Sequence, residues 1–241
     1  MAERPTFRIV TIPKIRETDI KMTALAHKFQ DFRLHCLREA PDSFASTYEV
    51  ESQRGLEHSV QRLINPKAAQ FVALRDPDPE TASAARSEDL DRLLNCEWAG
   101  INVLLGPEEG SDLPAPSAHL DRFPRGDPFQ QMTTAKLSLN SSQDAGMPDV
   151  LHFHINGMFV SPSTRGAGLG NALMDGVLRR AEEEAARTNS SLHITISVFA
   201  HNVAAMHLYD KAGFVVVEKS QSRSRPEFMA VHMELNRAAV R

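Results

Sequence analysis

Three β-rich runs succeed one another in the middle of the chain: Gln70 to Leu74 (QFVAL), Trp98 to Leu105 (WAGINVLL) and His152 to Val160 (HFHINGMFV). No long amphipathic helix is legible between them, whereas parallel neighbours need a crossover, usually helical. A doubly wound parallel sheet is thereby excluded. Upstream, Phe7 to Ile12 alternates as a strand and ends at Pro13. Met22, Leu25, Phe29, Phe32 and Cys36 then recur at helical steps, predicting a helix that opens near Thr18 or Asp19 and stops before Pro41. A second helix carries Leu56, Val60, Leu63 and Ile64 and halts at Asn65-Pro66. Downstream, a helix from Asn171 to Arg187 shows Leu173, Val177, Ala181 and Ala185 at spacing four. It leads to a strand at Leu192 to Phe199 and a helix from about Val203 to Ala212, closed by Gly213. Strands at about Phe214 to Lys219 and Phe228 to Leu235 finish the pattern. The order β-α-α-β-β-β-α-β-α-β-β predicts an α/β fold of the α+β kind, a mixed sheet with helices on its faces.

The 241 residues, 41% hydrophobic and 24% charged, suit one large globular domain or two small ones. A formal net charge of −4 lacks the basic excess of a nucleic-acid binder, so no nucleic-acid partner is expected. No apolar run reaches the roughly 18 residues of a membrane span, and the first residues carry no secretory h-region. The expectation is a cytoplasmic protein with no membrane partner, a nuclear location and a homodimer being left open. Cys36 and Cys96 match no zinc or redox spacing and read as core residues, and no metal site is expected. Two polar segments, about 76–94 and 106–149, read as insertions in one domain spanning 1–241. Ten acidic residues between Asp76 and Asp112 face only Arg86 and Arg92. That acidity keeps a loop solvated or steers a cationic amine.

Chemistry is suggested where the run ending at Val160 passes through Ser-Pro-Ser-Thr into Arg165-Gly166-Ala167-Gly168-Leu169-Gly170 and a helix begins. Such a bend leaves backbone N–H groups aimed into one concavity at the positive end of a helix dipole, where a pyrophosphate fits. The Gly-Lys-Ser/Thr of a P-loop is missing, and glycines at 166, 168 and 170 fail the dinucleotide G-x-G-x-x-G spacing. ATP and NAD are therefore disfavoured. A strand-to-helix turn that merely packs tightly would show similar glycines.

Downstream, Val198, Asn202, Ala205, Leu208, Tyr209, Gly213 and Phe214 fall at fixed intervals. This pairing resembles the GCN5-related N-acetyltransferase (GNAT) superfamily, whose signature is Arg/Gln-x-x-Gly-x-Gly/Ala after the fourth strand and V-x-x-x-N-x-x-A-x-x-L-Y-x-x-x-G-F after the fifth. It is firm over about residues 150 to 220. The resemblance implies the GNAT fold, a mostly antiparallel sheet of about seven strands in which parallel strands four and five splay. It also implies acetyl-CoA as co-substrate and a small-molecule or peptide amine as acceptor.

On the resemblance, the pantetheine arm would run along Phe159 and Val160, and the pyrophosphate would meet Arg165, Gly166, Ala167, Gly168, Leu169, Gly170 and Asn171. Asn202 would contact pantetheine amides, with Ala205 leaving room. Tyr209 would protonate the departing thiolate, and a backbone N–H near Val160 would polarise the thioester carbonyl. His154, eleven residues before Arg165, stands where histone-acetylating relatives carry a glutamate, and an imidazole of pKa near 6.5 suits an amine base. His152 shares its face of the strand. A histidine that only hydrogen-bonds within the sheet is the plainer alternative. Phe44 and Tyr48, between the first two helices, are candidates for the acceptor pocket or for loop packing. The competing readings are an inactive acyl-CoA-binding or regulatory protein of the same fold and a nucleotide-phosphate cradle.

Overall fold

A computed structural model describes residues 6–16, 20–76, 89–109 and 150–239. Thirteen elements matter here: β1 (Phe7–Thr11), α1 (Ile20–Glu39), α2 (Tyr48–Ser52), α3 (Leu56–Ile64), β2 (Ala68–Arg75), α4 (Asp89–Asn95), β3 (Trp98–Glu109), β4 (Val150–Val160), α5 (Leu169–Thr188), β5 (Ser191–Phe199), α6 (Val203–Lys211), β6 (Val215–Gln221) and β7 (Met229–Arg237). The strands make one seven-stranded mixed sheet in the order β1-β2-β3-β4-β5-β7-β6. The expected mixed sheet is what forms, with β4 and β5 parallel. Among the described residues no helix is long and apolar enough to cross a membrane.

The chain divides into two compact units, Met1–Leu104 with Asn156–Leu178, and Leu105–Ile155 with Arg179–Arg241. In the first, β1 and β2 pair antiparallel from Phe7 opposite Arg75 to Thr11 opposite Phe71. Helix α1 buries Met22, Leu25, Phe29, Phe32 and Cys36, the stripe anticipated from spacing, together with Ala26 and Leu37. Its anticipated N-cap, Thr18 or Asp19, lies outside the described residues. Large apolar side chains buried in this way stabilise by about 1.5–3 kcal/mol each. Gly100 shows how closely the layers meet: a Cβ there would stand 2.9 Å from the Phe159 carbonyl oxygen and 3.0 Å from Leu173 Cδ1.

The second unit is built on alternation. Leu192, Ile194 and Ile196 of β5 are buried on one face, as are Val231, Met233 and Leu235 of β7, while His193, Thr195, His232 and Glu234 take the alternate positions. One sheet face is thus apolar and the other polar.

Two local features depart from sequence expectation. Residues 48–52, between the two helices anticipated here, form a short helix of their own, which Thr47 caps as its Oγ1 accepts from the Val50 amide at 3.4 Å. Strand β3 continues to Glu109, four residues past its anticipated end, so the later insertion does not begin at 106. Gly106, at φ +124°, lets the backbone pass the His152 carbonyl, which a Cβ would meet at 2.6 Å. Of the two anticipated insertions, residues 77–88 and 110–149 lie outside the described residues.

Candidate active site

Strand β4 leads into the bend through a short 3-10 turn, Pro162–Thr164. The Ser161 amide donates to the Ala99 carbonyl at 2.8 Å, the Thr164 hydroxyl to the Ser161 carbonyl at 3.0 Å, and the Arg165 amide to the Pro162 carbonyl at 3.3 Å. Gly166 and Gly168 then adopt φ +82° and +80°, and a Cβ on either would meet nothing within 4 Å. Their backbone conformation, not crowding, calls for glycine, which answers the tight-packing alternative. The first helical bond runs from Ala172 N to Gly168 O at 3.1 Å. The amides from Gly166 to Asn171 donate to no backbone carbonyl of the described residues. Arg165, Gly166, Ala167 and Gly168 are exposed, and Leu169 is buried as the helix starts, two residues before the anticipated Asn171. Gly170 and Asn171 sit in that first turn. Six donors at a helix's positive end can hold an anion such as a diphosphate, the Arg165 guanidinium adding charge. Arg165 Nε itself donates to the Val160 carbonyl at 3.3 Å.

Phe159 turns its ring into the first unit's core, edge-on to Phe32 at 6.0 Å and tilted against Phe44 at 6.3 Å. Any role in ligand binding therefore falls to its backbone. Val160 is half-buried. Phe44 is itself buried, with the Arg33 guanidinium 4.6 Å from its ring centroid. Tyr48 lies under Arg38, whose guanidinium is 4.4 Å from its ring centroid and bonds its hydroxyl. The structure therefore gives both aromatics packing partners of their own.

In the second unit, Asn202 caps α6, its Oδ1 accepting from the Ala205 amide at 3.2 Å. This job was not legible in the signature, which suggested only a ligand contact. Tyr209 is 4% exposed and meets Phe214 edge-on at 6.3 Å. Burial pushes its phenol well above its ordinary value of 10, so it stays protonated at neutral pH. Gly213, at φ +96°, ends the helix as anticipated.

The strand histidines are partnered. His154 Nδ1 lies 2.9 Å from Thr195 Oγ1, and that hydroxyl is 3.3 Å from the Phe153 carbonyl. His152 Nδ1 lies 2.9 Å from His193 Nδ1, and His193 Nε2 is 3.2 Å from Glu234 Oε2. Sequence reading missed His193, Thr195 and Glu234. Their alternation was visible, but the cross-strand register that brings them together was not.

Residues 138–237 match the family described as acetyltransferase (GNAT) domain. Comparison with curated proteins gave no match. Among solved structures, Arabidopsis thaliana NAA60 in complex with a bisubstrate analogue is similar over 95% of this chain and 99% of that one, at 13% identity and TM-score 0.52. A GNAT-family acetyltransferase from Streptococcus pneumoniae is similar over 96% and 100%, at 15% identity and TM-score 0.52. NAA60 was also solved in complex with acetyl-CoA (13% identity, 96% and 98% covered, TM-score 0.51).

Proposed function

We propose that this chain, whose residues 138–237 match the GNAT acetyltransferase domain, belongs to that family and transfers the acetyl group of acetyl-CoA directly to a primary amine. The observation that carries this reading is the bend at 165–171: six amides without backbone acceptors among the described residues, at a helix N-terminus, with the arginine beside them. Acetyl-CoA supplies the acyl group and a thiolate leaving group. Arg165 and the amides from Gly166 to Asn171 bind its diphosphate, and the backbone of Phe159 and Val160 lies along its pantetheine arm. Asn202 and Ala205 serve that arm as well, Asn202 keeping its oxygen on the helix cap.

Direct transfer needs a neutral amine, a polarised carbonyl and a proton for sulfur. Tyr209 supplies the last. Its raised pKa keeps the proton in place until a thiolate forms, and a thiolate in dry surroundings gains proton affinity for the same reason. The base is a β4 imidazole: His154 at the position given by family resemblance, or His152 two residues earlier on the same face. The acceptor is a small-molecule or peptide amine. The reading supports a single catalytic domain over the whole chain, acting in the cytoplasm.

A thiol-release assay across an amine panel tests this, because free CoA reports turnover whichever nitrogen is modified. Saturable CoA release dependent on one amine class is expected. Binding of acetyl-CoA with no release for any amine would instead support the acyl-CoA-binding, non-catalytic reading.

A further inference from the structure

Lys14 follows β1 within the first unit and takes no part in the candidate active site. Its Nζ donates to the Leu63 carbonyl at 2.8 Å and to Gln70 Oε1 at 3.1 Å. Leu63 stands in the last turn of α3, where carbonyls lack helical partners. Gln70 is a fully buried residue of β2, and its own Nε2 donates to the Arg62 carbonyl at 2.6 Å. Two residues before Lys14, the Ile12 amide donates to the Gln70 carbonyl at 2.8 Å. One lysine thus fastens the segment after β1 to the end of α3 and to β2.

Both acceptors are uncharged, and no carboxylate pairs with Lys14 among the described residues. The negative end of α3 favours an ammonium, but dehydration of the amine end opposes it and prevails, bringing the pKa from 10.5 to about 8. At pH 8 about half of the molecules then carry a neutral amine here, against under about 1% for an ordinary lysine. Dehydration of this kind is how a lysine becomes a nucleophile. A neutral amine has two hydrogens and one lone pair. With its hydrogens on Leu63 and Gln70, the lone pair points away from both acceptors, and the residue as a whole is exposed.

We propose that Lys14 is an acylation site that takes the acetyl group of acetyl-CoA by direct attack, and that the mark unfastens this junction. The Nζ lone pair attacks the thioester carbonyl, a C–N bond forms and the C–S bond breaks. CoA leaves as the thiolate and receives one of the amine protons. The resulting amide has one N–H for two acceptors, so either the Leu63 carbonyl or the buried Gln70 Oε1 loses its donor. An unpaired buried acceptor destabilises the fold. The attack uses no residue of the bend at 165–171, so it does not depend on transfer to a substrate amine.

Mass spectrometry after incubation at pH 8 with acetyl-CoA carrying a deuterated acetyl group tests the site, on the folded full chain and on the same chain in guanidinium. Lys14 should gain label at least threefold faster folded than denatured, and faster than the exposed Lys211 and Lys219 of the folded chain. N,S-diacetylcysteamine, a thioester without the diphosphate, should show the same preference. Equal rates in the folded and denatured chains, or labelling of Lys14 by acetyl-CoA alone, would overturn direct attack. Labelling should lower the Tm of the wild type and not that of Lys14→Arg, which separates this mark from those on other lysines. A Tm lowered equally in both proteins, or in neither, would refute the unfastening. Absence of turnover with every amine would count against the acetyltransferase reading and leave the labelling result as it stands.

Discussion

Ile155 and Ile196 are the last register pair between β4 and β5, although β4 continues for five more residues. The peptide groups of residues 156–160 thus lie outside that ladder, and an extended ligand backbone can use such groups as a neighbouring strand would. If the pantetheine arm does so, amides within 156–160 should exchange more slowly with deuterium once acetyl-CoA is added. Exchange in this segment that is identical with and without the thioester, at saturation, would remove β4 from the binding surface.

Tyr209→Phe keeps the ring packed against Phe214 and deletes only the proton. It should reduce kcat by about 100-fold or more, the usual scale for losing a general acid, while acetyl-CoA affinity stays within about twofold. Because burial raises the phenol's pKa, the wild-type kcat profile should show no limb from Tyr209 between pH 7 and 10. Stopped-time assays over that range, with calorimetry for affinity, check both statements; an active Tyr209→Phe enzyme would assign the residue to the core alone.

Gly100→Ala should destabilise by about 1–3 kcal/mol, since the new methyl must displace either the Phe159 carbonyl or Leu173 from contacts of 2.9 and 3.0 Å. For a protein of this length that corresponds to a Tm lower by about 2–4 °C per kcal/mol. A melting temperature unchanged in Gly100→Ala would mean that the layers are looser than described.

Lys14 donates from Nζ to the Leu63 carbonyl at 2.8 Å and to Gln70 Oε1 at 3.1 Å, and burial lowers its pKa from 10.5 to about 8. Between those values the unfolded chain holds the proton and the folded chain does not, so Lys14 makes stability rise with pH across that window. Cys36 acts oppositely: burial pushes its thiol from 9.0 up to about 12, so unfolding releases a proton there and stability falls as pH rises through 9 to 12. Denaturant melts from pH 8 to 10.5 should show Lys14→Met losing stability relative to wild type as pH increases. Parallel curves for the two proteins would refute the assignment.

The sequence disclosed what depends on local pattern. The α1 stripe from Met22 to Cys36, the closing Gly213 and the glycines of the bend each follow from spacing or backbone need, and all stand where expected. Helix α2 escaped because five residues are too few to show a period. The chain from His152 to Glu234 escaped for a different reason. It joins residues 41 apart, and then 41 again, whose proximity depends on strand register, which alternation within one strand does not fix. Asn202 shows a third limit: one residue type serves equally as helix cap and ligand contact, so its spacing could not reveal the capping bond.

The account stands on the bend at 165–171 as the diphosphate site of acetyl-CoA. Titration calorimetry of CoA into the wild-type protein and Ala167→Asp tests it most directly, since residue 167 is exposed and needs no glycine conformation. Saturable one-to-one binding by the wild type, lost or weakened at least 30-fold in Ala167→Asp with Tm unchanged, is the predicted result. Equal affinity in both proteins, or no binding by the wild type, would contradict it.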